Sequence, residues 1–388
     1  MSPTLAVVRR SLALALLAPA ALLSVPVRAA SIDPGAAATA QAHRVSAPTR
    51  TFTLAAVGDF LSEDVVNRRA AVVAPAGARV DYEPLLRPVE PLIQKADLAI
   101  CHMETPIGAP GTVMGFVGHS PNGLALIAAA SESAGDLRRV GFDRCSTASN
   151  HANDLGLTGI ASTLAALDAA GISHSGTART ATEASVSTLL VNGIRVTHLA
   201  YARNSNTGFP QDPWRLNRAV DATQVVRDVA RARAMGAEVV VVSVHVYVEM
   251  QRGPTADDRA LITRITAGAG PDLVIIHGPH VVQPVERVNG KVVFWSVGNF
   301  ISGMGVSGRG KYTDPRTLDG LLATARFTQR SDGTWATTAS PVLLCNVTAT
   351  RMVYPGISWL RRTDLSPALR ASLQACRARA SAVVRNLN

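Results

Sequence analysis

From Thr51 onward the chain alternates short apolar runs, polar clusters and helix-length amphipathic stretches. The apolar runs lie at Thr53 to Val57, Leu98 to Cys101, Cys145 to Ala148, Val196 to Ala200, Val239 to Val244 and Leu273 to Ile276, and each ends in polar residues. Unbroken apolar runs of this length predict strands buried on both faces, in sheets covered by helices. Helical spacing is expected over Tyr82 to Ala96, Gly123 to Ser133, Leu157 to Ala170, Ala222 to Met235, Ala256 to Gly268 and Ser366 to Arg385, with Gly171 and Gly236 placed as C-caps. After Ile276 the run V-E-R-V-N-G-K-V-V-F-W reads as two strands about an Asn289-Gly290 turn, and a second hairpin is expected around Ser331-Asp332-Gly333. No repeat, heptad or linker follows residue 50. The pattern therefore predicts one α/β domain, two stacked mixed sheets with helices outside, over residues 51–353, with a helical appendage at 354–388.

The first fifty residues break this pattern. Arg9 and Arg10 precede an uncharged run from Ser11 to Val27, and Val27-Arg28-Ala29 offers small residues at cleavage-site spacing, so residues 1–29 read as a secretory signal peptide. The expected location is secreted or cell-surface. Pro19 and Pro26 interrupt the run, which is barely long enough to span a bilayer, so an uncleaved anchor is the lesser alternative. Residues 30–50, rich in Ala, Ser, Thr and Pro, read as a disordered leader.

The full chain of 388 residues carries a net charge of +10, and subtracting Arg9, Arg10 and Arg28 gives +7, which favours anionic partners. Only three lysines occur, aromatics make up 4%, and no basic run is interleaved with them, so nucleic-acid binding is not expected. Four cysteines without a C-x-x-C spacing suggest two disulfides in an exported chain. Cys345 with Cys376 would staple the C-terminal segment, and Cys101 with Cys145 would join two neighbouring strands; other pairings remain open at this point.

Polar residues collect at the strand ends. Asp59 follows the first run, His102 and Glu104 the second, Asn150 and His151 the third, His245 and Glu249 a later one, and His277 and His280 another. In open α/β sheets the C-terminal strand edges form the ligand crevice, so these ends can converge. Asp, Glu, Asn and His supply oxygen and imidazole ligands suited to Mn, Fe, Zn or Mg, and the expected cofactor is a divalent metal, two ions in the fullest case. Two such ions can activate a shared water and clamp the oxygens of a phosphoryl or acyl centre, with a neighbouring His as proton donor. His119, in the loop G-F-V-G-H-S-P-N, is a further candidate for substrate contact, while His174 and His198 read as structural.

The series V-G-D-F (57–60), A-I-C-H-M-E-T-P (99–106), S-N-H-A-N-D-L-G (149–156), S-V-H-V-Y-V-E (243–249), I-H-G-P-H-V-V-Q-P-V-E (276–286) and W-S-V-G-N-F (295–300) resembles the CapA family of poly-γ-glutamate capsule synthesis proteins. That resemblance implies a calcineurin-like metallophosphoesterase fold, a four-layer αββα sandwich. It implies Asp59 on one metal, Glu104 bridging, Asn150 on the second metal, His151 as the catalytic histidine, and His245 and His280 completing the shells. Gln283, Glu286 and Asn299 would shape the edge of the pocket, and Asn153 and Asp154 would orient His151 or cap the following helix. The chain departs from the family in His102 where Asn is usual, in His245-Val246-Tyr247 where His-Trp-Gly is usual, and in Gly278 where His is often found. With Gly278 there, either His277 or His102 supplies the missing imidazole or a single ion binds. The resemblance implies an anionic polymer substrate such as poly-γ-glutamate and association with a membrane-bound synthesis complex. It leaves two functions open: a metal-dependent hydrolase of a phosphoester or amide bond, or a non-catalytic polymer-binding component.

Overall fold

The computed structural model describes residues 49–305 and 310–387. The expected signal peptide and the leader up to residue 48 lie outside them. Among the described residues no helix is long and apolar enough to cross a membrane.

The large sheet runs in the order β17 (Met352–Pro355), β16 (Val342–Val347), β14 (Asp319–Gln329), β1 (Thr51–Phe60), β2 (Leu98–Met103), β5 (Arg144–Ser146), β6 (Ser173–Ser175), with β13 (Asn299–Ile301) on β1 and β15 (Trp335–Ala339) on β14. The second sheet runs β11 (Val285–Val288), β12 (Lys291–Phe294), β10 (Leu273–His277), β9 (Val239–His245), β8 (Ile194–Ala202), β7 (Leu189–Val191). A separate hairpin joins β3 (Gly115–His119) to β4 (Ala125–Ala128). Both large sheets mix parallel and antiparallel pairs.

Alternation along each strand sorts side chains between the layers. Phe52, Leu54 and Ala56 of β1, Leu98 and Ile100 of β2, Val239 and Val241 of β9, and Leu273 and Ile275 of β10 form the core between the sheets. The intervening residues face outward. Ala55, Val57, Ala99 and Cys101 pack under α1 (Asp64–Val73), α2 (Glu83–Leu86), α3 (Glu90–Gln94), α4 (Ser133–Val140) and α5 (Gly156–Ala169). Val240, Val242, Val274 and Ile276 pack under α6 (Thr223–Ala234) and α7 (Ala256–Ile265). The result is the expected αββα order of layers.

Four helices, α5, α6, α7 and the C-terminal one over Pro367–Ser381, match expectation to within a few residues, but two expectations need correction. The helix expected over Tyr82 to Ala96 is split into α2 and α3, because Pro84, Pro88 and Pro91 remove donors and crowd the preceding carbonyls. The helix expected over Gly123 to Ser133 is the β4 arm, and α4 starts only at Ser133. Its alanines suggest helix, but pairing with β3 and a hydrogen bond from the Ile127 N–H to Asp154 Oδ2 (2.8 Å) hold it extended. The hairpins around Asn289-Gly290 and residues 331–333 form as expected, the first with positive φ at both turn residues. Helix α1 was not read from the sequence.

At the carboxyl end of β1 the backbones close in on one another. A Cβ on Gly58 would lie 1.9 Å from the Gly298 carbonyl oxygen, one on Gly298 (φ +62) 2.4 Å from that of Asp319, and one on Gly320 2.1 Å from that of Asn299. Only glycine fits at each place, and the Asp59 N–H reaches the Gly298 carbonyl at 3.1 Å.

Disulfides join Cys101 to Cys145, directly opposed on β2 and β5, and Cys345 of β16 to Cys376 of α9 (Pro367–Ser381). Tyr354 and Pro355 complete β17, and α8 (Gly356–Leu360) and α9 pack on β16 through Leu343, Cys345, Tyr354 and Leu373. Arg379 of α9 also pairs with Asp319 of β14 (2.6 Å).

Gly58→Ala is expected to lower unfolding free energy in urea by about 3 kcal/mol through overpacking against Gly298. Gly77→Ala, at φ +88 with open space around it, should cost about 1 kcal/mol. Equal losses would contradict a close backbone approach at Gly58.

Candidate metal centre

Strand register assembles the site. Asp59 is opposite His102 on β2 and Asn299 on β13, and His245 at the end of β9 is opposite His277 at the end of β10. His102, His245 and His277 share the parity of the inter-sheet core residues on their strands, so the core gives way to imidazoles at the sheet edge. Asp59 has the parity of outward-facing Ala55 and Val57, and the irregularity in the β1–β2 register between Ala56 and Asp59 turns it back toward them.

Asp59 and Glu104 are fully buried. Asp59 Oδ2 lies 3.1 Å from His280 Nδ1, and its Oδ1 lies 3.7 Å from both His102 Nε2 and His277 Nδ1. Glu104 Oε1 is 3.9 Å from His245 Nε2 and 3.8 Å from His280 Nε2. His280 Nδ1 also meets Asn299 Oδ1 at 3.0 Å, while Asn299 Nδ2 donates to the Thr317 carbonyl, so Nε2 is the nitrogen turned toward Glu104. His245 Nδ1 shares a hydrogen with His102 Nε2 (3.0 Å), which leaves the His245 Nε2 facing Glu104 as well.

Two donor sets capable of holding an ion share Asp59: one with His102 and His245, the other with Glu104 and His280. Asp59 Oδ1, both Glu104 oxygens, Asn150 Oδ1 and His277 Nδ1 are buried without hydrogen-bond partners. Buried acceptors left open at one point match the needs of a divalent cation, and carboxylate, amide and imidazole donors suit such an ion. The residues present therefore fit a metal.

The electrostatics agree. Burial pushes the Glu104 carboxyl well above the ordinary carboxylate range, with the His280 charge opposing and the carboxylates of Asp59, Glu249 and Glu63 adding to it. Burial acts to raise Asp59 too, but the hydrogen bond from His280 and the surrounding imidazoles outweigh it and hold Asp59 below the ordinary range. For His280 burial acts downward, and Glu104, Asp59 and Glu249 overcome it, pushing the imidazole up to about 10. Burial carries His245 down to about 3, His277 to about 4, and His102 well below its ordinary value. Three neutral imidazoles thus surround one imidazolium clamped between two carboxylates.

Beside this group lies the Asn150–Asp154 turn. Ser149 Oγ donates to the Glu104 carbonyl and accepts from the His151 N–H (3.1 Å), tying the turn to the end of β2. His151 Nδ1 pairs with buried Asp154 Oδ2, which also accepts from Ile127. Of the two roles open to it, Asp154 makes the contact to His151 and does not cap α5, whose N-cap is Leu155 with no side-chain cap bond. Asn153 donates to Thr207 Oγ1 (2.9 Å), anchoring the turn to the segment after β8.

Glu249 interacts with Tyr312, and Gln283 donates to the Gln251 carbonyl (3.0 Å). Glu286, on β11, stands apart from the group, bonded to Arg259 and the Trp295 indole. His277 stacks on His102 with ring centroids 3.9 Å apart, outside both donor sets. His119 is on β3 beside Phe116. A Cβ at Gly278 (φ +99) would come within 2.0 Å of the Val246 carbonyl oxygen and 2.8 Å of His245 Nε2, so no imidazole fits there while His245 keeps its place.

Sequence reading missed Asn206 and Glu63. Asn206 bonds Asn150 through its backbone N–H (2.8 Å) and side chain (3.3 Å), and its Nδ2 lies 3.3 Å from His151 Nδ1. Its signal was available: R-N-S-N-T-G, residues 203–208, is another polar cluster after an apolar strand. Glu63 accepts from Ser302 and Gly303, and nothing local in F-L-S-E indicates that contact.

A family model described as the bacterial capsule synthesis protein PGA_cap matches residues 53–304. The PGA biosynthesis protein CapA of Bacillus subtilis (strain 168) is 27% identical over 223 residues, covering 54% of this chain and 53% of that protein. The capsule biosynthesis protein CapA of Bacillus anthracis is 24% identical over 294 residues, covering 73% and 65%. The chain thus spans between half and two thirds of the length of these relatives. Among solved structures, the calcineurin-like phosphoesterase YfkN of Bacillus subtilis aligns with a TM-score of 0.46 at 12% identity, over 85% of this chain and 100% of that one. A 5'-nucleotidase precursor from Thermus thermophilus aligns at 0.39 and 13%, over 85% and 59%. Since the family match covers well over half of the 388 residues, the chain belongs to the bacterial capsule synthesis protein family PGA_cap.

Proposed function

We propose that this protein is an exported, metal-dependent hydrolase that cleaves a phosphoester or amide bond in an anionic cell-envelope polymer of the poly-γ-glutamate type, in association with a membrane-bound synthesis complex. One observation carries the reading. Two buried carboxylates with open lone pairs face four imidazoles at one sheet edge, and a separate histidine, His151, is held beside them by its own carboxylate. A component that only grips polymer has no use for that second histidine.

Asp59, Glu104, His245 and His280 would hold the metal, with His102 and Asn150 as further donors. A bound divalent ion supplies polarisation of the scissile centre's oxygen and a lowered pKa for water. Asn299 fixes the His280 ring so that Nε2 faces Glu104. Asp154 fixes the His151 ring through its Nδ1, an orientation that suits a proton donor to the leaving group. Export is supported by the arginine-flanked apolar run at the amino end, and an anionic substrate by the net positive charge and by the capsule-related names of the relatives.

Elemental analysis of protein purified without chelators should find about two equivalents of Mn, Fe or Zn, lost in Glu104→Ala. His151→Ala should keep its metal and lose about 10²- to 10⁴-fold in kcat on phosphoesters or γ-glutamyl polymers. Metal near zero in the parent protein would sink the hydrolase reading. Polymer binding that survives His151→Ala, with no turnover in the parent, would support the scaffold instead.

Loading an ion must also displace the proton held on His280. With that imidazole at about 10 and the Glu104 carboxyl raised as well, metal-free protein at pH 8 is expected to release about one proton or more per ion bound at this position, and affinity should rise with pH up to about 10. Calorimetry in two buffers of different ionisation enthalpy measures the release, and none at pH 8 would contradict a protonated His280.

A further inference from the structure

We propose that a small oxyanion, carboxylate or phosphate, binds against Arg144 in the cavity of about 270 Å³ at the β5–β6 margin of the sandwich. This site is separate from the metal centre.

Arg144 points from β5 between the sheets and is 2% exposed. Its Nε donates to His198 Nδ1 (3.3 Å), and its Nη2 donates to the His198 carbonyl (3.1 Å) and Ser187 Oγ (3.2 Å). Every acceptor is neutral: His198 passes its own N–H to Ser243 Oγ (3.0 Å), and burial together with the Arg144 charge keeps its imidazole unprotonated. No described carboxylate forms an ion pair with the guanidinium, and burial without an opposing acid pushes it down to about 10. A buried cation with no counter-charge is costly, and a bound anion removes that cost.

The cavity wall is also rich in donors. Ser175 Oγ accepts from the Ala200 N–H (3.2 Å) and Ser187 Oγ accepts from Arg144, so both hydroxyl hydrogens have no acceptor among the described residues. Both serines line the cavity, with Thr177, Asn217 and Trp214. Two hydroxyl donors beside a guanidinium call for a ligand made of acceptors.

The acids on the wall already have cations. Arg179 binds Asp168 (2.7 Å) and Glu183, and Asp228 accepts from Arg227 (3.3 Å) and the Tyr201 hydroxyl (3.2 Å). With Arg179 seated on it, the Asp168, His174 and Glu183 group is an ion-pair network and not a cation site. The cavity also backs onto the turn carrying His151. Thr177 Oγ1 bonds Thr147 Oγ1 (2.8 Å), and Gly176 presses on the backbone of Ala148.

The test is intrinsic fluorescence of chelator-treated protein, so that phosphate has no metal to bind. Inorganic phosphate and acetate are titrated separately, with chloride holding ionic strength constant. A saturable change is expected, abolished in Trp214→Phe, with its midpoint raised about tenfold or more in Arg144→Met. Ser185→Phe, an exposed wall position that narrows the cavity without touching the buried cation, should raise the midpoint likewise and covers the case in which Arg144→Met does not fold. Saturation by phosphate alone assigns a phosphate site, and by acetate alone a carboxylate site. If neither anion saturates, or the midpoint is unchanged in the folded variants, Arg144 only stitches β5 to β8 and the proposal fails.

Discussion

The architecture of this protein turns on the burial of Asp59 and Glu104 in one place. Removing a single carboxylate from water costs several kcal/mol even after relaxation. Here two meet at the edge between the sheets, with Glu249 and Glu63 close enough to raise Glu104 further. In the metal-free chain the response is a charged His280 ring between the two acids, Nδ1 toward Asp59 and Nε2 toward Glu104, with the Glu104 carboxyl itself pushed well above its ordinary range. That is incomplete compensation: one imidazolium serves a cluster of buried carboxyl groups, and lone pairs on Asp59 and Glu104 stay open. A cation of higher charge is the physical complement of such a site.

Backbone geometry makes the arrangement stiff. β1, β2, β9 and β10 deliver their last residues to one edge, and the register pairs Asp59 with His102 and His245 with His277. The contact of Gly58 with Gly298 brings β13 against β1, which sets Asn299 beside Asp59 and lets its amide fix His280. His280 itself has a positive φ of 57, an uncommon conformation for a non-glycine residue. Hydrogen bonds in the second layer, from Asn299 and from Asp154, decide which imidazole nitrogen faces the centre. Separate elements thus constrain each donor, so ordering it on binding costs little entropy.

Much of this was legible in the sequence because it is periodic. Unbroken apolar runs ending in Asp, His, Asn or Glu specify strands buried on both faces and place the chemistry at their carboxyl ends. That reasoning finds Asp59, Glu104, His151, His245 and His280 without knowledge of any contact. It fails where partners distant in sequence decide. The 123–133 stretch carries helix-forming alanines but pairs with β3, and its Ile127 N–H is claimed by Asp154. Glu286 stands in a motif-like run, yet the register of β11 hands it to Arg259 and Trp295. Asn206 and Glu63 enter through loops whose approach to the site depends on the packing of the whole sandwich.

Gly278 shows how one backbone position limits where imidazoles can stand. Its φ of +99 and the Val246 carbonyl leave no room for a Cβ, and His245 Nε2 already occupies the direction a side chain would take. Two imidazoles stand on the strands instead, His102 on β2 and His277 on β10, stacked nearly parallel at 13°. Burial keeps both neutral, which is the form that can donate a lone pair. The two are not equivalent. His102 shares a hydrogen with His245 and belongs to a donor set with Asp59, whereas His277 supports the ring of His102 from the adjoining strand. His102 is moreover rigidly placed, because β2 is held between β1 and β5.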